Sequence, residues 1–195
     1  LAKHGFNTND ITDVFLTHLH FDHCGGSVIR EGDKLNTAFK NATYWSNKNH
    51  WDWAITPNAR EKASFLKENI LPIQESGQLQ FIPSEEGVQF SDHMRVRFTY
   101  GHTDAMMIPQ IDYKGHTILY MADLLPSTMH IPLPYVMAYD MFPLQTLKEK
   151  KDFLEEACSK EYVLFLEHDP LVECCTLQQT EKGIRLNNTF KLTEL

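Results

Sequence analysis

The sequence predicts an α/β (α+β) fold in which metal-binding side chains collect at the ends of buried strands. Two observations lead to this prediction. Short apolar runs typical of strands interleave with segments of helical periodicity, and several of the apolar runs are followed directly by histidine or aspartate. The chain has 195 residues, of which 42% are hydrophobic, which is enough for one domain (1–195) with a sizeable core.

The first half contains two short strand candidates and one helix candidate. "DVFLT" (13–17) is typical of a buried strand that stops at His18, and "ATYW" (42–45) of another short strand. "NAREKASFLKENI" (58–70) predicts a helix after Pro57, because Asn58 is a suitable N-cap. The apolar positions of that helix follow a spacing of three to four residues: Ala59, Ala63, Leu66 and Ile70.

The second half has clearer patterns. "MRVRFTY" (94–100) alternates, so Met94, Val96, Phe98 and Tyr100 are expected to face inward. "QIDYKGHTILYMAD" (110–123) predicts a hairpin that turns at Lys114 and Gly115. The remaining elements are a helix over 143–158 with an apolar stripe of Leu144, Leu147, Leu154 and Cys158, a strand over 162–169, and a final hairpin around Lys182 and Gly183.

Charge and cysteine usage restrict the partners and the compartment. The formal net charge is −8 and no dense basic block exists, which argues against a nucleic-acid partner. No apolar run is long enough to span a membrane. The four cysteines form no C-x-x-C pair, and Cys174 and Cys175 are expected to point to opposite faces of a strand, so a reducing, cytoplasmic location is predicted.

The motif "HLHFDH" (18–23) indicates a metal site. Histidines at positions 18 and 20, at the end of a strand, can bind one ion together. Asp22 and His23 follow where the chain must turn. Four such side chains in six residues do not fit comfortably around one ion, which suggests two ions. Three further metal-capable residues each follow an apolar run: His102, Asp123 and His168.

This pattern resembles the metallo-β-lactamase superfamily, in which H-x-H-x-D-H precedes a G-H-T histidine, a strand-terminal aspartate and a late histidine. "ADLLPSTMHIPLPYVMAYDMFP" (122–143) is similar to the branch of quorum-quenching lactonases and methyl parathion hydrolase-like enzymes. The resemblance implies two divalent metal ions, zinc being favoured over iron or manganese. It assigns His18, His20 and His102 to one ion, Asp22, His23 and His168 to the other, and Asp123 as the bridge.

The implied activity is metal-dependent hydrolysis of a small-molecule ester, with a lactone as the favoured substrate. A hydroxide between two ions about 3.5–4 Å apart would attack the carbonyl, with Asp22 and Asp123 as the catalytic carboxylates. Alternatives are a phosphotriesterase or thioesterase of the same fold and a non-catalytic sensor that binds metal and a small ligand. A nuclease of the superfamily is disfavoured by the acidic charge balance.

Other residues carry weaker signals. His130 and Tyr139 are candidates for the substrate pocket, the tyrosine as a donor to a developing oxyanion, and Asp140 is a similar case. Cys24 is expected to be a small packing residue. Four histidines are expected at the surface: His4, His50, His93 and His116. Three tryptophans are expected in core packing or a pocket wall: Trp45, Trp51 and Trp53.

The chain departs from the family pattern at its start. Superfamily members build two similar halves into an αββα sandwich, but only 17 residues precede His18 here. The resemblance therefore implies a domain whose first half is incomplete, lacking much of its usual N-terminal strands. We expect a larger native protein, or a homo-oligomer that covers the exposed edge.

Overall fold

The computed structural model describes all 195 residues, which divide into two compact units. Unit 1 comprises Leu1–Ser84 and unit 2 comprises Glu85–Leu195. The predicted mixture of helices and strands is confirmed in both units. No helix in the chain has the length and apolar character needed to cross a membrane.

Unit 1 is built on a small parallel sheet. Its strand order is β1-β4-β5, and β1 pairs with β4 in the register Val14 to Tyr44. A separate antiparallel pair is formed by β2 and β3. The elements of unit 1 are β1 (Asp13–Phe15), α1 (Phe21–Cys24), β2 (Val28–Glu31), β3 (Lys34–Thr37), β4 (Thr43–Asn47), α2 (Lys48–Ile55), α3 (Lys67–Glu75) and β5 (Leu79–Ile82).

The helix predicted over 58–70 is wrong in its first half. Residues 59–64 form turns, and α3 begins only at Lys67. Asn58 Oδ1 accepts from the amides of Arg60 and Glu61, as an N-cap does, but the turn that it starts ends before Phe65. The carbonyl of Ser64 accepts from the amide of Phe21, so it is not available for a helical hydrogen bond.

The core of unit 1 lies between the sheet and its helices. Trp51, one of the three tryptophans expected in packing, is buried there with Tyr44. Cys24 is also fully buried in this cluster, as predicted for a packing residue, and burial raises the pKa of its thiol to about 12. Leu16 and Leu19, on either side of His18, belong to the same core and fix the motif backbone.

Unit 2 contains a seven-stranded sheet of order β12-β11-β10-β9-β8-β7-β6, antiparallel except between β9 and β10. The hairpin predicted to turn at Lys114 and Gly115 is confirmed, as is the final hairpin around Lys182. The elements of unit 2 are β6 (Val88–Ser91), β7 (Met94–Thr99), β8 (Met106–Tyr113), β9 (His116–Tyr120), α4 (Pro143–Ser159), β10 (Val163–Phe165), β11 (Cys174–Thr180) and β12 (Gly183–Phe190).

The long helix α4 matches its predicted bounds, but its buried face differs from the prediction. Leu144 is 82% exposed, whereas Lys150 is fully buried. Leu154 packs in the main cluster of unit 2 as expected. On β7, Val96 is buried as expected, but Tyr100 lies past the strand end and is exposed.

The two adjacent cysteines of β11 point to opposite sides of the sheet, as predicted. Cys175 packs in the cluster under α4, and Cys174 packs in a second cluster with Ile118 and Val163. All four cysteines of the chain are free thiols.

Candidate metal centre

The "HLHFDH" motif of unit 1 starts in the loop after β1 and continues into α1. His18 is fully buried and His20 is 7% exposed. Each offers a ring nitrogen within 4.8 Å of the other, and their ring centroids are 4.7 Å apart. The i and i+2 spacing therefore brings two imidazoles together, as the sequence predicts.

Asp22 and His23 occupy the single turn of α1, directly after His20 at its N-cap. His23 Nε2 lies 3.6 Å from Asp22 Oδ2, and the His23 ring stacks obliquely 3.9 Å from the ring of His18. The Asp22 side chain is 44% exposed, so it borders solvent while the histidine beside it is nearly buried. Unit 1 thus gathers all four motif side chains on one short stretch.

In unit 2, Asp123 lies between two histidines that come from different strand ends. Asp123 Oδ2 is 3.1 Å from His102 Nε2, and Asp123 Oδ1 is 3.1 Å from His168 Nε2. The three residues follow β7, β9 and β10. Each oxygen of this carboxylate therefore contacts a different imidazole.

His102 is held from its other side by Asp140. Its Nδ1 lies 3.0 Å from Asp140 Oδ1, and the amide of Met141 donates to the carbonyl of His102. Burial opposes protonation of His102, but hydrogen bonds and charges from Asp123 and Asp140 outweigh it and raise its pKa to about 9. The two carboxylates therefore surround this ring with negative charge.

The loops that carry these ligands contain unusual backbone. Ala122, directly before Asp123, has φ of 41°, and Ala105, three residues after His102, has φ of 51°. Both side chains are fully buried. Left-handed backbone at a residue other than glycine costs about 1–3 kcal/mol and persists where the surrounding packing imposes it, so these loops hold a fixed shape.

The two weaker pocket candidates belong to the segment of unit 2 before α4. His130 Nδ1 hydrogen-bonds to Ser127 Oγ at 2.9 Å within its own turn, and burial together with the charge of Lys150 lowers its pKa, against the charge of Asp140. Tyr139 is 76% exposed and directly precedes Asp140. Their roles in a substrate pocket stay predictions.

The donors present fit hard or borderline divalent metals. They are imidazole nitrogens and carboxylate oxygens only, most are buried, and buried groups of this kind are normally paired with a counter-ion or a metal. The nearest sulfur in sequence, Cys24, is packed in the apolar core and donates to the carbonyl of Leu19. The nitrogen and oxygen set agrees with the expectation of zinc, iron or manganese.

Sequence reasoning missed two residues around the motif. His50, expected at the surface, is fully buried, and its Nε2 accepts from the amide of Leu19 at 2.8 Å. The surface prediction was wrong because helix α2 turns this histidine toward the motif loop. Glu61, which lies within the helix predicted over 58–70, is 2% exposed and hydrogen-bonds to His20. No local pattern marks either residue.

Fold and donor set together define an α/β protein with histidine and aspartate side chains that could hold a metal ion. The family model of the metallo-beta-lactamase superfamily matches residues 1–168. The chain belongs to this superfamily, as the motif predicted. No curated protein matches the chain.

Solved structures share the fold over nearly the whole chain. A probable metal-dependent hydrolase from Staphylococcus aureus is 26% identical, with a TM-score of 0.83 over 97% of this chain and 67% of that one. AidC, a dizinc quorum-quenching lactonase solved with a product, is 25% identical, with a TM-score of 0.79 over 97% and 68%. The hydrolase AbOPH, 20% identical with a TM-score of 0.78 over 98% and 69%, supports the fold alone. The chain spans about two thirds of the length of these proteins.

Proposed function

We propose that the protein is a dinuclear metal-dependent hydrolase that cleaves the ester bond of a lactone. The observation that carries the proposal is the position of Asp123, whose two oxygens each lie 3.1 Å from a different histidine. In this position the carboxylate could serve two ions, each held by a different histidine. AidC, at 25% identity, is a dizinc lactonase, which supports two zinc ions and a lactone.

The ligand assignment combines both units and is part of the proposal. His18 and His20 would hold one ion with His102, and Asp22 and His23 would hold the other with His168, while Asp123 would bridge. When bound, the two cations would supply an acidified water as nucleophile and polarise the carbonyl oxygen of the substrate.

The chain's own side chains would perform the remaining steps. Asp22, with its side chain 44% exposed, is the carboxylate open to solvent. It would hold the attacking water by accepting its hydrogen bond, and would pass the proton to the leaving alkoxide. Asp140, whose Oδ1 contacts His102 Nδ1, would keep that imidazole in one orientation throughout.

The compartment stays a prediction as well. Four free thiols, with no disulfide among them, suit the reducing cytoplasm that the sequence predicts.

A substrate panel tests the proposal. The purified protein, loaded with zinc, is assayed on N-acyl homoserine lactones, thioesters and phosphotriesters. We expect the lactones to be cleaved fastest and Asp123→Asn to lose at least about 100-fold in kcat/KM, because that side chain would serve both ions. Asp152→Asn is the matched control, since Asp152 is an exposed partner of Lys148 on α4.

The outcomes separate the candidate functions. Lactone turnover that Asp123→Asn abolishes supports the proposal. Faster turnover of a thioester or phosphotriester would replace the substrate class and keep the metal chemistry. Tight metal binding without turnover of any substrate would favour the non-catalytic sensor instead.

A further inference from the structure

In unit 1 the buried carboxylate of Glu61 contacts His20, one of the predicted metal ligands. Glu61 is 2% exposed, and its Oε1 lies 2.8 Å from His20 Nε2. Its other oxygen, Oε2, accepts from Trp53 Nε1 at 2.6 Å and from Asn58 Nδ2 at 3.1 Å. The carboxylate therefore has partners on both oxygens and a fixed orientation.

The backbone around Glu61 is built to present this side chain. Asn58 Oδ1 accepts from the amide of Glu61 at 3.0 Å, and the carbonyl of Glu61 accepts from the amide of Ser64. The carbonyl of Ser64 then accepts from Phe21, the residue after His20. This turn replaces the first half of the predicted helix. Its backbone is hydrogen-bonded to the motif backbone, and its Glu61 side chain is hydrogen-bonded to the His20 ring.

The hydrogen bond decides which nitrogen of His20 can bind a metal. Because an ionised carboxylate only accepts, we assign the ring hydrogen of His20 to Nε2. The lone pair of a neutral imidazole then lies on Nδ1. At His102 the pairing is reversed, because Asp140 contacts Nδ1 and leaves Nε2 facing Asp123. The two histidines would therefore bind through different nitrogens.

We propose that Glu61 is a positioning residue that fixes His20 as an Nδ1 metal ligand and, through its negative charge, strengthens the metal–nitrogen bond. A carboxylate behind a ligating imidazole raises the basicity of the ligand and locks the ring, and losing such a partner costs 10–100-fold in metal affinity. Trp53 and Asn58 hold the carboxylate in place. This inference rests on the proposed metal centre, and it adds a role that the family motif does not contain.

The first test measures zinc affinity by competition with a chromophoric chelator, without any assay of activity. We expect Glu61→Ala to bind zinc at the site that includes His20 about 10–100-fold less tightly than the wild type. Glu61→Gln keeps an acceptor oxygen for Nε2–H but loses the charge, so its affinity should lie between the two.

Trp51→Phe is the matched control. It perturbs the buried core of unit 1 but replaces no hydrogen-bond partner of Glu61. If Glu61 only supports the fold, Glu61→Ala and Trp51→Phe should lower zinc affinity in proportion to their loss of stability in urea. The proposal requires Glu61→Gln to lose more zinc affinity than Trp51→Phe at equal or smaller loss of stability.

The second test needs no variant. Nitrogen-15 NMR of the histidine rings in the zinc-loaded wild type should show a metal-bound Nδ1 and a protonated Nε2 for His20. A metal-bound Nε2, or unchanged zinc affinity in folded Glu61→Ala, would overturn the inference while leaving the proposed function standing. A wild type that binds no zinc would overturn both.

Discussion

Replacing Gly101 with alanine should destabilise unit 2 strongly, because there is no room for a methyl group beside the ligand His102. A Cβ at this position would lie 2.3 Å from both the amide nitrogen and Oγ1 of Thr146 and 2.5 Å from its Cα. Real Cβ atoms essentially never approach closer than 3.0 Å. Since the obstructing atoms include helix backbone, rotation of a side chain cannot relieve the clash.

The same loop is tied to α4 by charged hydrogen bonds. Glu149 accepts from the amide of Tyr100 at 2.9 Å and from the amide of Gly101 at 3.0 Å. The amide of Phe142 donates to the carbonyl of Gly101. Moving the loop away from α4 to admit the methyl group would stretch these bonds, so relaxation has a cost of its own.

The expected magnitude follows from these two contributions. Overpacking costs about 1–3 kcal/mol, and occasionally more, and a weakened hydrogen bond to a charged group costs about 1.5–3 kcal/mol. We expect a total loss of about 3–5 kcal/mol in the free energy of unfolding. For a chain of this size, each kcal/mol lowers Tm by about 2–4 °C, so Tm should fall by about 6–20 °C.

Calorimetry is the appropriate assay, because all three tryptophans lie in unit 1 and their fluorescence would not report on this loop. Gly26→Ala is the control, since a Cβ there meets nothing within 4 Å, and its Tm should stay within about 2 °C of the wild type. If Gly101→Ala melts as the control does, the account of how α4 holds the His102 loop is refuted.

Two further predictions concern buried and paired groups. At pH 8, iodoacetamide should modify the partly exposed Cys158 and spare Cys175, because burial raises the pKa of the Cys175 thiol to about 12. Peptide mass mapping that finds Cys175 alkylated in the native protein would contradict its packing. Partial burial opposes ionisation of Glu156, but ion pairs with Lys160 and Arg97 hold its pKa below the ordinary value. Its contribution to stability is therefore present above about pH 4.5 and is lost as the pH falls through the lower folded value. Urea unfolding at pH 7 and pH 3 should show a smaller loss on acidification for Arg97→Met than for the wild type, and an equal loss would refute the pairing.

The sequence predicts best where a pattern is local and repeated. The alternation over 94–100, the Lys114–Gly115 turn and the amphipathic helix over 143–158 all correspond to observed elements. Each is decided by neighbouring residues along the chain, through pleat, turn geometry or helical spacing. The ligand motif at 18–23 is visible for the same reason.

The sequence predicts structure least well where a side chain contacts a residue that is far away along the chain. Residues 58–64 have helical spacing, yet Glu61 turns inward to His20, which lies 41 positions earlier. Lys150 is buried against a helical pattern that favours an exposed lysine, because its ammonium donates to the carbonyls of His130, Pro132 and Tyr135. Periodicity cannot reveal such long-range polar contacts.

The measurement that tests the central claim most directly is anomalous diffraction from crystals of the zinc-loaded protein, supported by elemental analysis. We predict two zinc ions per chain, both contacting Asp123, with ligands from residues 18–23 and from His102 and His168. One ion per chain, or two ions that do not share Asp123, would contradict the account.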